Sequence, residues 1–169
     1  DPTPLVGEPF DPGLLRAIGE TGVKAMACDS TNVFSPHAGR SEMTLIEPLN
    51  ALMRDAEGLV AATTFASNVA RLRTLAEAGR QAGRQVVVLG RAMNTMLKTA
   101  RTAEVLDHFP ETLDPLDIDT VPRRDLLVLA TGSQGERRAA TAQLAQGRYM
   151  GLELKPGDTY LFSSRTIPG

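Results

Sequence analysis

Residues 125–136 read Asp125-Leu126-Leu127-Val128-Leu129-Ala130-Thr131-Gly132-Ser133-Gln134-Gly135-Glu136, an apolar run that ends in a small polar cluster. The apolar run is continuous rather than alternating, which is typical of a strand in a parallel sheet that is covered on both faces. Small polar residues and glycines after such a run indicate a turn into the next element. This stretch therefore predicts a buried strand that leads through a polar turn into a helix.

The same theme recurs along the chain. The apolar runs lie at Val23 to Cys28, Leu59 to Phe65, Gln85 to Leu89, Asp125 to Ala130 and Thr159 to Phe162. The helix-like segments lie at Pro12 to Glu20, Glu42 to Ala56, Asn68 to Ala82, Ala92 to Leu106 and Glu136 to Gln146. Strands that alternate with helices predict an α/β fold of three layers, in which a mainly parallel, Rossmann-like sheet carries helices on both faces.

Apolar spacing and prolines give further expectations within these segments. The third predicted helix has one apolar stripe at spacings of three and four, formed by Val69, Leu72, Leu75, Ala76 and Gly79. Such a stripe predicts the face that packs on the sheet. Pro48 predicts a break in the second helix near Glu47. The prolines and acidic residues of 107–124 predict an extended surface connection.

Composition limits the cellular environment and the binding partners that we expect for this protein. The net charge of −2 argues against a protein that holds nucleic acid through bulk electrostatics, so any contact with RNA must be local. No apolar run approaches the ~20 residues of a membrane helix, and the N-terminal residues show no signal-peptide pattern. We therefore expect a cytoplasmic protein without a membrane partner. Cys28 lies in an apolar run, which predicts a buried small side chain rather than a reactive thiol.

Polar loops follow the predicted strands. They lie at Asp29 to Asn32, Thr64 to Asn68, Gly90 to Ala92, Thr131 to Glu136 and Ser163 to Thr166. In an open parallel sheet, ligands bind outside the carboxyl ends of the strands. Backbone N–H groups at helix starts favour an anion there, so the loops together predict a crevice that accepts phosphate. The alternative is that each loop only caps a helix, since Ser, Thr, Asn and Asp are preferred capping residues.

The residues alone support no metal site and no nucleophilic triad. The histidines are His37 and His108, both in loop-like segments that contain prolines, which predicts surface side chains. There is no His-x-His pair and no second cysteine, so a zinc ligand set cannot be assembled. No serine stands in a Gly-x-Ser-x-Gly turn.

Taken together and in order, the loops resemble the signature stretches of the ribonuclease J family. These stretches are Cys28 to Asn32, Thr64 to Val69, Leu89 to Met93, Ala130 to Glu136 and Phe162 to Gly169. The resemblance covers nearly the whole chain. It implies the β-CASP domain of a metallo-β-lactamase-superfamily enzyme. Residues 1–28 are then expected to be the end of a metallo-β-lactamase-domain segment with a linker, and 29–169 a β-CASP domain that is incomplete at its C-terminus.

The resemblance also implies an activity for the complete protein. The family cleaves RNA with two zinc ions, both as an endonuclease and as a 5′-to-3′ exonuclease, so 5′-phosphorylated RNA is the expected partner. The zinc ligands are expected outside this chain, in a metallo-β-lactamase domain that would be a second partner. We therefore expect this piece to hold no zinc and to be inactive alone. A homodimer or tetramer of the complete protein stays open.

Site residues can be carried over at matching positions. Asp29 takes the acidic position of the family, where the carboxylate orients a histidine rather than binding metal; the alternative is that it caps the following turn. The residues predicted to bind substrate are Ser67, Asn68, Val69, Ser133, Ser163 and Ser164. The main hypothesis is thus an RNA-binding lobe of a ribonuclease. The alternatives are a non-catalytic nucleotide- or phosphate-binding α/β module and a structural lobe that packs against another domain or subunit.

Overall fold

A computed structural model describes residues 3–30, 33–36 and 39–165 of the chain. Four strands form one parallel sheet in the order β2-β3-β1-β4. They are β1 (Val60–Thr63), β2 (Gln85–Leu89), β3 (Leu126–Ala130) and β4 (Thr159–Phe162). The predicted parallel α/β sheet is confirmed. Parts of two predicted loops, at 31–32 and 166–169, lie outside the described residues.

Helices connect the strands. The α-helices are α1 (Pro12–Glu20), α2 (Ile46–Asp55), α3 (Val69–Gln81), α4 (Arg91–Thr102) and α5 (Ala140–Ala145). Short 3₁₀ helices lie at Glu42–Leu45, Pro115–Thr120 and Arg123–Asp125. None of the helices within 3–30, 33–36 and 39–165 is long and apolar enough to cross a lipid bilayer.

Both faces of the sheet are covered, because successive side chains of each strand point to opposite faces. On one face, Val60 and Ala62 of β1 pack in a core with α2, α3 and α4. On the other face, Ala61 packs in a second core with α5 and the 3₁₀ helix Pro115–Thr120. The prediction of helices on both faces is confirmed.

The apolar stripe of α3 packs on the sheet as its spacing predicts. Leu72, Leu75, Ala76 and Gly79 are buried, and Val69 is half-buried. The glycine has a steric reason: a Cβ at position 79 would lie 2.2 Å from Cδ2 of a leucine of β3. The helix therefore lies closer to the sheet than any larger residue would allow.

Pro48 marks a helix start. The 3₁₀ helix ends at Leu45 and α2 begins at Ile46, so the proline lies in the first turn of α2. Its missing N–H costs nothing there, because the first N–H groups of a helix have no intrahelical partner. The predicted break near Glu47 is confirmed.

The strand predicted at Val23 to Cys28 is wrong. The segment has no regular structure, Val23 is 54% and Met26 78% exposed, and Cys28 is exposed rather than buried. An apolar run becomes a strand only if a neighbour accepts and donates its backbone hydrogen bonds. Within the described part of the chain this run pairs with none of the four strands.

The connection at 107–124 differs from the predicted extended surface segment. Phe109 and Ile118 are buried, one in each core. Between them, Thr112 forms a bridge with Val86, and the N–H of Leu113 donates to the carbonyl of Val86 at 2.8 Å. The segment therefore wraps around the free edge of β2 and carries the chain from one face of the sheet to the other.

Two helices are shorter than their sequence pattern predicts. Helix α4 ends at Thr102, and Glu104 soon after it has a positive φ of 55°. Helix α5 begins at Ala140 rather than Glu136, because the preceding residues form turns around Gly135, whose φ is 77°. Backbone conformations of this kind cannot continue an α-helix.

Arg84 closes the edge of the sheet at which the strands begin. Its side chain is buried, and Nε donates to the carbonyl of Met53 at 2.8 Å. Nη1 donates to the carbonyls of Gly58 and Leu126 at 2.9 and 3.1 Å, and Nη2 to that of Ala56 at 2.6 Å. Burial lowers the pKa of this guanidinium. One side chain thus ties the end of α2 and the start of β1 to the start of β3.

We predict that Arg84→Met lowers the free energy of unfolding by about 3 kcal/mol, because four carbonyls at a buried site lose their donor while the apolar stem is kept. Urea unfolding measures the loss. Arg54→Met is the control, since this side chain of α2 is 65% exposed and should change stability by at most about 0.5 kcal/mol. Equal effects of the two substitutions would contradict the anchoring role.

Candidate functional site

The predicted substrate-binding residues gather at one edge of the sheet. Because all four strands are parallel, their carboxyl ends and the loops that follow them lie at the same edge. The candidates at this edge are Ser67, Asn68, Val69, Ser133, Ser163 and Ser164. The structure therefore brings these residues to a common rim, while their role in substrate binding stays a prediction.

Arg71 holds the loop after β4 against the first turn of α3. Its Nη1 donates to Oγ of Ser163 at 2.9 Å and to the carbonyl of Ser163 at 3.3 Å. The other edge of the guanidinium binds Glu42, with Nε to Oε1 at 2.5 Å and Nη2 to Oε2 at 3.2 Å. The two charged side chains are largely buried, at 22% and 14% exposure. A two-pronged ion pair therefore fixes the position of Ser163.

The loops after β3 and β4 contact one another. Nε2 of Gln134 donates to the carbonyl of Arg165 at 3.0 Å, and Oγ of Ser164 lies 3.5 Å from the carbonyl of Ser133, a weak contact. The backbone N–H of Ser163 continues the sheet ladder by donating to the last residue of β1. Three of the predicted serines thus form one polar group on two adjoining loops.

Asn68 acts as the N-cap of α3. Its Oδ1 accepts a hydrogen bond from the N–H of Arg71 at 3.0 Å. The capping alternative is therefore observed at this position. Capping uses only the amide oxygen, so the amide nitrogen of Asn68 still has donors for another partner. Ser67, one residue earlier, is exposed.

Asp29 does not follow a strand of the sheet. It is exposed and belongs to the irregular segment between α1 and the 3₁₀ helix Glu42–Leu45. The structure therefore does not place Asp29 at the end of a strand of this sheet, and its role in orienting a histidine stays a prediction.

Histidines and acidic side chains do not assemble a metal site in the described ranges. His108 is exposed, as predicted, and His37 lies outside those ranges. Across residues 3–30, 33–36 and 39–165, no group of three or more His, Cys, Asp and Glu side chains has the geometry to hold a metal ion. The described residues therefore offer no ligand set for a zinc centre.

A hydroxyl network that the sequence does not reveal supports the rim from the face covered by α5. Oγ1 of Thr141 donates to the carbonyl of Thr131 at 2.7 Å, and the hydroxyl of Tyr160 lies 2.6 Å from Oγ1 of Thr141. Burial raises the pKa of Tyr160, which keeps its hydroxyl protonated and able to donate to Thr141. Oγ1 of Thr131 accepts the N–H of Ala140 at 3.2 Å. The end of β3 is thus fixed to the start of α5.

Two rim glycines are required by backbone conformation and space. Gly90 has a φ of 107°, and a Cβ there would lie 2.5 Å from Oγ1 of Thr131. Gly132 has a φ of 117°, and its Cβ would lie 2.7 Å from that of Ala139. Gly90 therefore lets the loop after β2 approach the loop after β3 closely, and Gly132 lets the loop after β3 pack against the start of α5.

Comparison with known proteins gives one consistent family. The sequence model described as the β-CASP domain of ribonuclease J matches residues 57–169. Ribonuclease J of Sinorhizobium meliloti is 42% identical over 169 residues, which is 100% of this chain and 30% of that protein. Ribonuclease J of Mycobacterium tuberculosis is 36% identical over 171 residues, again 100% of this chain and 30% of the relative.

A third relative extends the pattern to another genus. Ribonuclease J 1 of Streptococcus pyogenes is 35% identical over 165 residues, which is 97% of this chain and 30% of that protein. The chain therefore spans about 30% of the length of the curated relatives described here. The boundary predicted between residues 28 and 29 is not tested by these matches.

We predict that a double-mutant cycle of Arg71→Gln and Glu42→Gln gives a coupling of about 1 to 2 kcal/mol in the free energy of unfolding, because the pair is largely buried and bidentate. The exposed pair Arg54–Asp55, at 3.9 Å, is the control and should couple by less than about 0.5 kcal/mol. Chemical denaturation of the four proteins of each cycle measures the coupling. A coupling near zero for the first pair would show that it does not hold the rim.

Proposed function

The chain belongs to the ribonuclease J family and contains its β-CASP domain; on that premise, we propose that the loops at the carboxyl edge of the sheet bind RNA for a metal-dependent ribonuclease. The observation that carries the proposal is the polar group on the loops after β3 and β4, together with the ion pair that fixes Ser163. Small hydroxyls and backbone N–H groups let a phosphate approach closely, and such contacts position a strand without selecting its sequence.

The chemistry of the complete enzyme lies beyond this lobe. We propose that two zinc ions supply the nucleophile and stabilise the leaving oxygen, and that their ligands belong to a metallo-β-lactamase domain outside this chain. The parent would then cleave 5′-phosphorylated RNA as an endonuclease and as a 5′-to-3′ exonuclease in the cytoplasm, as a homodimer or tetramer. Within that enzyme, this lobe binds and orients the RNA.

We predict that Ser67→Ala and Asn68→Ser each weaken binding of a short 5′-phosphorylated RNA by about three- to tenfold, since each removes a neutral hydrogen bond. Serine caps a helix as well as asparagine does, so Asn68→Ser removes the amide donors while α3 keeps its cap. Fluorescence anisotropy on the complete protein measures affinity, with a 5′-hydroxyl RNA for comparison. Thr99→Ala, an exposed hydroxyl on α4, is the control. Equal affinities of all variants for both RNAs would remove these residues from the site.

We predict that the purified chain alone cleaves no RNA in the presence of added zinc, because its described residues do not assemble a metal site. The complete protein should cleave the same RNA and lose that activity when a chelator removes the metal. Gel analysis of a labelled RNA checks both outcomes. Zinc-dependent cleavage by the chain alone would contradict the division between the two parts of the enzyme, and cleavage by the complete protein that resists chelation would contradict the metal dependence.

A further inference from the structure

A second feature of the rim is a cavity of about 870 Å³ at the carboxyl ends of β2 and β3. Its lining includes Gly90, Arg91, Thr131, Arg138, Arg148 and Tyr149. The three arginines come from three different connections. Arg91 begins α4 after β2, Arg138 lies in the turns between β3 and α5, and Arg148 lies between α5 and β4. Their convergence is therefore a product of the fold and not of helical spacing.

The three guanidinium groups gather without a counter-charge. In the part of the chain that the structure describes, none of them makes an ion pair, and no acidic residue lines the cavity. Elsewhere in those ranges, carboxylate partners are found for Arg54, Arg71, Arg73, Arg80, Arg123 and Arg124. Arg16, Arg101 and Arg137 also make no ion pair within those ranges. The feature that sets the three cavity arginines apart is therefore that they line one space from three connections.

Like charges that line the same cavity repel one another, and a bound anion offsets that repulsion. Arg91 adds to the repulsion. It is the first residue of α4, at the helix end where the dipole disfavours a cation. All three arginines are exposed, so solvent weakens the repulsion between them, and an anion bound in the cavity would offset what remains.

Hydrogen bonds fix the backbone of the loops that carry the arginines. The N–H of Gly90 donates to the hydroxyl of Tyr149 at 3.1 Å, which ties the residue next to Arg148 to the residue next to Arg91. The threonine hydroxyl network described above fixes the end of β3, two residues from the start of the turns that lead to Arg138. The cavity thus has a framework that holds the backbone of the three connections around one space.

We propose that this cavity binds a phosphate of the RNA backbone, away from the serines of the loops after β3 and β4. Guanidinium groups present paired donors that match phosphate oxygens, and a phosphodiester supplies the missing negative charge. The proposal rests on the proposed RNA-binding function and adds a second contact to it. The strand order separates β2 from β4 by three strand spacings, which is about 15 Å, so one RNA strand lying along the rim reaches both places.

The loop after β3 contributes to both places, which supports a continuous path for one RNA strand along the rim. Ser133 and Gln134 of this loop contact the loop after β4, whereas Thr131 and Arg138 line the cavity. The arginines also explain how a protein of net charge −2 holds a polyanion, because the positive charge is concentrated where the backbone passes.

The test is the salt dependence of RNA binding by the complete protein. Each phosphate contact that is lost lowers the slope of log affinity against log salt by about 0.7 for a single strand. The triple variant Arg91→Gln, Arg138→Gln, Arg148→Gln removes the contact to one phosphate, so it should reduce the slope by about 0.7 and weaken binding by on the order of tenfold at low salt. The control removes the same charge from exposed arginines elsewhere, in the triple variant Arg16→Gln, Arg54→Gln, Arg124→Gln, and should leave the slope unchanged.

The outcomes separate this proposal from the function on which it rests. If the unaltered protein does not bind RNA, the proposed function fails and the cavity proposal fails with it. If the unaltered protein binds and the cavity variant binds with the same slope and affinity, only the cavity proposal is overturned. A thermal shift with inorganic phosphate completes the test: a shift lost in the cavity variant while its RNA binding is unchanged would assign the cavity to a free anion and overturn the RNA contact. Unfolding midpoints check that both variants fold.

Discussion

Parallel pairing of the four strands is the constraint on which the rest of this structure depends. Each strand must be reached from the carboxyl end of the one before it by a connection that crosses a face of the sheet. All loops that leave a strand therefore lie at one edge of the sheet, and all loops that enter a strand lie at the opposite edge. Apolar packing on both faces leaves these two edges as the places where polar groups are needed. The edges of this domain satisfy that need in opposite ways.

Arginine is the residue that shows the difference. At the entering edge, the guanidinium of Arg84 has four carbonyl partners and little water, so its hydrogen-bonding capacity is used within the fold. At the leaving edge, Arg71 divides its donors between a carboxylate and Ser163, so it both stabilises and positions. The side chains of Arg91 and Arg148 have no such partner among the described residues. Donors are therefore saturated at the edge where strands begin, and some remain available at the edge where strands end.

Local sequence pattern was sufficient to predict much of this fold. The bounds of β2 and β4 are those predicted, and the stripe of α3 is buried, because each depends on a continuous apolar run or a helical spacing. The rim was also predictable, since parallel strands force their loops together. The strand prediction at Val23 to Cys28 is wrong because the segment has the composition of a strand, but pairing depends on a distant neighbour. Arg84 and Arg80 are four residues apart and look alike in the sequence, yet only the tertiary packing buries one of them. The convergence of arginines on one cavity has no sequence signal at all.

If the rim binds RNA as proposed, its polar groups position the RNA without selecting its sequence. Phosphate contacts carry no base information, and serine hydroxyls and guanidinium groups both suit the backbone of a strand. Among the described residues that line the cavity or form the serine group, the one aromatic side chain is Tyr149, and its hydroxyl is engaged by Gly90. At the cavity, stacking on bases, the usual route to tight single-strand binding, is therefore limited, and affinity there has to come from charge. Charge-based binding is sensitive to salt and tolerant of sequence, so discrimination among RNAs has to arise from the 5′ end, from RNA structure or from parts of the enzyme beyond this lobe.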